Sequence, residues 1–107
     1  MGQEVLRVTG LPDTPLDAAA AFHQAWLPQA RAIADDLLLV LPEAGHQHRA
    51  WRLAAVQELA REAAPRRVNA IAGNQEEAIA EAAAFLAGAP GITGQLLAVD
   101  GKSAEKR

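Results

Sequence analysis

The sequence predicts an α/β domain: a small parallel sheet of about four strands with three main helices packed on it in two or three layers. Three observations lead there. Short Val-, Ile- and Leu-rich runs alternate with longer alanine-rich stretches whose apolar residues recur three and four apart. Leu37 to Leu41 is unbroken apolar sequence between turn signals, the signature of a strand buried on both faces, as parallel sheets require. Finally, 107 residues without a repeat or linker fit one domain, here residues 1–101, with a polar tail at 102–107 expected to be loose.

The elements follow in order. Val5 to Val8 reads as a strand, closed by Thr9-Gly10 and a proline-containing turn. Asp13 or Thr14 caps a helix from Pro15 to about Ala34, with Phe22, Ala25, Trp26 and Gln29 on one face and Pro28 bending or shortening it. Leu37 to Leu41 is the second strand and Pro42 to His48 a loop. A helix from Arg49 to Ala64 carries Leu53, Val56, Leu59 and Ala60 as its apolar stripe, and Pro65 stops it. Val68 to Ala72 is the third strand, and Gly73-Asn74 the turn after it. The helix from Glu76 to Leu86 starts acidic, as the macrodipole favours, and buries Ala78, Ile79, Ala82 and Phe85-Leu86. Ile92 to Val99 is the last strand.

Composition narrows the functional classes. About a quarter of the chain is alanine, which favours helix but buries little area, so the core is thin and a self-association surface is expected. The net charge of −3 argues against nucleic acid. The basic groups at Arg66-Arg67 and in the tail read as solvated ends. There is no cysteine, the start lacks the basic-then-apolar pattern of a signal peptide, and no apolar run is long enough to span a membrane. A soluble cytoplasmic protein is expected. His46 and His48 flank Gln47 but have no third metal ligand nearby, and solvated loop histidines are the better reading. His23 reads as a surface or boundary residue, and Trp26 and Trp51 as core or interface packing.

Three segments carry a family resemblance. Ile92-Thr-Gly-Gln-Leu-Leu-Ala-Val-Asp-Gly101 resembles the last strand of the classical short-chain dehydrogenases and reductases, Glu76 to Ala87 the helix before it, and Arg67-Val-Asn-Ala-Ile-Ala72 the strand before that. Together they cover Ala50 to Gly101 in the family's order. The resemblance implies a Rossmann-like remnant, the C-terminal half of a truncated, degenerate member. Leu6 to Gly10 matches either the turn after the family's first strand or its mid-chain Asn-Ala-Gly strand. The second is preferred, because a single helix separates it from Leu37.

The departures from the family bear on activity. A glycine-rich phosphate turn would need three glycines, and Val8-Thr9-Gly10-Leu11-Pro12 offers one. The chain contains no tyrosine, whereas the family uses a tyrosine and a lysine four residues later; counting back from Pro65 puts Gly45 and Arg49 at those positions. The family's catalytic serine would fall near Leu41 or Pro42. The resemblance with these losses implies no catalysis, no cofactor and no metal. Instead it implies self-association, or pairing as an inactive subunit with a full-length relative, through the helix at 49–64 and the segment at 76–99. Trp51, Ala82, Phe85, Ile92, Leu96 and Val99 are the interface candidates. The alternative is a minimal nucleotide or small-molecule binder without redox activity, using the strand ends near Gly10, Pro42 to Gly45 and Gly73-Asn74.

Overall fold

The structure, a computed structural model, describes residues 2–100. Four strands, β1 (Gln3–Arg7), β2 (Asp36–Leu41), β3 (Val68–Ala72) and β4 (Leu96–Ala98), lie side by side in that order, each neighbouring pair parallel. The first crossover is α1 (Pro15–Ala21), a π-helical turn at Phe22–Trp26, and α2 (Leu27–Arg31). The second is a 3₁₀ turn at His46–His48 followed by α3 (Arg49–Ala63), and the third is α4 (Glu76–Ala87). The predicted class is therefore the observed one. The expected tail at 102–107 lies outside the described residues.

Strand side chains alternate between two faces, and the cores divide accordingly. Leu37, Leu39, Leu41, Val68, Ala70 and Leu96 pack with Phe22, Ala30, Val56 and Leu59 on one face. Leu38, Val40 and Ile71 pack with Ile79 and Leu86 of α4 on the other. The molecule thus has three layers, with α4 alone on its side of the sheet. Because the parallel strands step in one direction, crossovers on opposite faces have opposite hands. At least one crossover departs from the right-handed rule that such connections almost always obey.

Four local expectations are corrected. Phe22 is buried as predicted, but Ala25 and Gln29 are exposed and Ala30 is buried instead. The cause is the π-helical turn, closed by Leu27 N–H donating to the Phe22 carbonyl five residues back. It inserts one residue ahead of Pro28, whose ring would otherwise meet the carbonyl four residues earlier, and it rotates the following turn accordingly. Second, β1 begins at Gln3 and β4 is only three residues long, because Ile92 to Gln95 is occupied otherwise, as described below. Third, the cap of α1 is not a side-chain bond to the backbone: Thr14 Oγ1 donates to Asp17 Oδ2 at 2.9 Å.

Fourth, Arg66 and Arg67 are not solvated ends. Arg66 Nη1 donates to the Ile33 carbonyl at 2.7 Å. Arg67 pairs with Asp36 at 2.9 Å and donates from Nη1 to the Leu86 and Ala89 carbonyls, both at 2.7 Å. It thereby ties the start of β2 to the C-terminal end of α4, where a cation is favoured.

Candidate functional site

The two most family-like motifs turn out to bind each other. Asn69, 1 % exposed, donates from Nδ2 to the Ile92 carbonyl and accepts at Oδ1 from Gln95 N–H, each at 3.0 Å. Thr93 Oγ1 accepts from Val68 N–H at 3.0 Å, and Gly94 N–H donates to the Val68 carbonyl at 2.7 Å. Gly94 has φ 75°, which glycine adopts without strain. Arg67-Val-Asn and Ile92-Thr-Gly-Gln are therefore one structural clasp that delivers the chain into β4.

At the carboxyl ends of the strands, α3 begins beside a cavity of about 170 Å³ lined by Ala44, Gly45, His46, His48, Arg49, Arg52, Ala72, Leu96 and Ala98. Gly45 and Arg49, which counting back from Pro65 sets at the places expected for the family's tyrosine and lysine, both stand on its wall. Arg52 is 5 % exposed, its Nη1 donates to the Pro42 carbonyl at 2.8 Å, and its Nε is buried without a hydrogen-bond partner. Burial pushes the guanidinium pKa below its ordinary value. Arg52 was missed as a site residue, although the stripe Val56, Leu59 and Ala60 extended back one turn lands on it.

His48 is likewise not the solvated loop residue expected. It is 5 % exposed, with Nε2 2.8 Å from the Asp13 carbonyl, while Trp51 Nε1–H donates to Nδ1 at 3.1 Å. A carbonyl only accepts and an indole N–H only donates, so the ring proton sits on Nε2. His48 therefore pins the turn before α1 to the start of α3. Among the described residues no group of three His, Cys, Asp or Glu is placed to hold a metal ion. His23, exposed as expected, is 2.7 Å through Nδ1 from the Ala19 carbonyl one turn earlier.

The segment after β1 does not fit the family's phosphate cradle. That cradle needs successive backbone N–H groups at a helix N-terminus, where the strand order of the sheet reverses. Here Gly10 alone, at φ 73°, has the required freedom, Pro12 has no N–H, and the strand order steps on without reversal. The sequential order agrees with reading β1 as the family's mid-chain strand.

The six interface candidates separate. Ala82, Ile92 and Val99 are half-buried against the α4-side core, while Phe85, expected on the buried side of its helix with Leu86, is instead 58 % exposed, because only Ile79 and Leu86 of α4 turn fully onto the sheet. Trp51 is half-buried on the opposite layer, its ring centroid 5.7 Å from that of Phe22. It lines a groove of about 320 Å³ between the first crossover and α3. Leu96 is a correction: at 9 % exposure it faces α3 as part of the core and is closed to a partner. Its neighbour Leu97 points to the α4 side instead, because side-chain direction alternates along the strand.

Among curated proteins and among solved structures, no significant match is found. A family model described as short chain dehydrogenase-like protein matches residues 6–99, which includes all of β2, β3, β4 and every helix. With the clasp in place and the strands in sequential order, this chain belongs to the short-chain-dehydrogenase-like family.

Proposed function

We propose that this protein is a non-catalytic member of its family that acts by association, either with a second copy of itself or as an inactive subunit beside a full-length relative. The observation that carries this is Phe85. It stands 58 % exposed on α4, on a layer where Ala82, Ile92, Leu97 and Val99 are only half-buried. A helical turn of 3.6 residues puts Phe85 on the flank opposite Glu76, and Glu76 is the flank that reaches β1 through Arg7 at 3.0 Å. Phe85 therefore overhangs the β4 side, next to an edge strand of three residues. A large aromatic there, bordered by aliphatic side chains, suits a protein partner.

The non-catalytic half of the proposal rests on chemistry. Counting back from Pro65 sets Gly45, on the cavity wall, at the family's phenol position, and the chain contains no tyrosine. Without a positioned proton donor, carbonyl reduction loses its general acid. Light scattering on the purified protein tests the association. The expected result is a dimer or larger species, or a stable complex with a tagged full-length family member. A monomer that captures no such relative overturns the proposal, and turnover of a carbonyl substrate with a nicotinamide cofactor overturns its non-catalytic half.

A further inference from the structure

We infer that the cavity at the start of α3 binds a small carboxylate with a short apolar tail, held by Arg52. The argument begins with charge. Arg52 is 5 % exposed, and the carboxylates in described salt bridges all belong to other cations: Glu76 to Arg7, Glu62 to Arg31, Glu58 to Arg61 and Asp36 to Arg67. The guanidinium donates to one carbonyl, its Nε has no hydrogen-bond partner, and its carbon lies 5.7 Å from the centre of the Trp51 ring, so an aromatic face and a carbonyl meet this charge but no carboxylate does, which folded proteins rarely keep.

The surroundings add positive potential rather than relieving it. Arg49 lines the same cavity. The first turn of α3 contains no acidic residue, so no side chain offsets the positive end of its dipole, although the 3₁₀ turn ahead of it takes up the His48 and Arg49 N–H groups at the Gly45 and His46 carbonyls. By contrast, α1 and α4 both carry acidic residues in their first turns.

Shape and lining choose among anions. The cavity of about 170 Å³ is smaller than the roughly 300 Å³ at which drug-sized pockets begin, so it admits only a few heavy atoms. Ala44, Gly45, Ala72, Leu96 and Ala98 line it as well, beside His48, whose two ring nitrogens are already engaged with the Asp13 carbonyl and Trp51, so these residues bring no free side-chain donor to the outer oxygens of a phosphate. A planar carboxylate matches the guanidinium fork, and a short alkyl tail matches the alanines.

The site lies on the α3 side of the sheet, away from Phe85, so its test does not depend on assembly. Amide chemical shifts of the full chain are followed during titration with butyrate, with butanamide as the uncharged analogue and inorganic phosphate as the second anion. Butyrate is expected to shift the amides of residues 44–52 saturably, with butanamide and phosphate each at least about tenfold weaker. Arg52→Met is expected to abolish the response, and Arg49→Gln, at an exposed position, to weaken it several-fold without disturbing the fold. The inference is overturned if butyrate gives no saturable shift, if butanamide or phosphate binds equally well, or if folded Arg52→Met binds as wild type does. Should Arg52→Met not fold, an unchanged affinity in Arg49→Gln overturns it.

Discussion

At the scale of single residues, the side chains that fix this fold are polar ones closing backbone groups that neighbouring elements leave open. Asp36 is the clearest case. Its Oδ1 accepts from Arg67 N–H at 2.8 Å and its Oδ2 from Arg67 Nε at 3.0 Å. The backbone bond from Arg67 is the leading reason its pKa is held below the ordinary aspartate value of 3.8; burial opposes it, and the hydrogen bond and charge of the Arg67 side chain add further lowering. A carboxylate with a depressed folded pKa contributes stability that is present above its unfolded value and lost as pH falls through its folded value. The difference in unfolding free energy between wild type and Asp36→Asn is therefore expected to be constant above about pH 5 and to shrink below 3.8. Chemical denaturation across that range measures it, and a difference that holds constant down to about pH 2 would refute the assignment.

At the scale of elements, strands and helices were readable because each carries its period: β2 as an unbroken apolar run, α3 and α4 as stripes three and four apart. Less was readable where one residue interrupts a period. Pro28 announced a disturbance, but whether the chain would kink, stop or widen depends on whether Ala30 or Gln29 reaches the core, and that is settled by packing against β2 and α3. The short β4 was hidden for a similar reason. Ile92 to Val99 has strand composition, yet the bonds from Asn69 and Val68 take up its first half. The π-helical turn makes a test possible. Deleting exposed Gln24 converts the turn to regular α-helix while keeping Phe22 and Ala30 on one face, but it brings Pro28 against the carbonyl one turn back. The deletion alone is expected to cost about 3 kcal/mol in denaturant unfolding, and adding Pro28→Ala is expected to restore most of it. Equal stability with and without Pro28→Ala would show that the proline does not cause the turn.

At the scale of the whole molecule, the sequence left open whether α4 shares a layer with the other helices, and the reason is physical. Both faces of β2 and most of both faces of β3 are apolar, so neither face of the sheet identifies itself as the one α4 must cover. The functional reading was similarly partial: Phe85 reads as an interface candidate yet also as part of the buried side of its helix, because alanine neighbours leave the edge of the apolar stripe undefined, while Arg52 is concealed inside an apolar stripe. The layer arrangement decides where a partner fits. Since α4 covers its face alone, two apolar positions remain open on that side, Val5 at 47 % exposure on β1 and Phe85 at 58 % on the β4 flank. They lie on opposite sides of α4, so a partner bound at one need not touch the other. The β4 flank has the larger side chain and the aliphatic border, whereas the β1 flank is crossed by Gln3 donating to the Ala83 carbonyl at 3.2 Å and by the Arg7–Glu76 pair. Those polar links already join β1 to α4 and leave Val5 between them. Phe85→Glu is therefore expected to shift the assembly to monomer at micromolar concentration, since it places a charge at the centre of the apolar contact, while Val5→Lys leaves the mass by light scattering unchanged. Neither substitution removes a buried group, so both variants are expected to fold with unfolding midpoints close to wild type. Dissociation by Val5→Lys with Phe85→Glu still assembled would move the partner to the β1 edge, where a further parallel strand could extend the sheet.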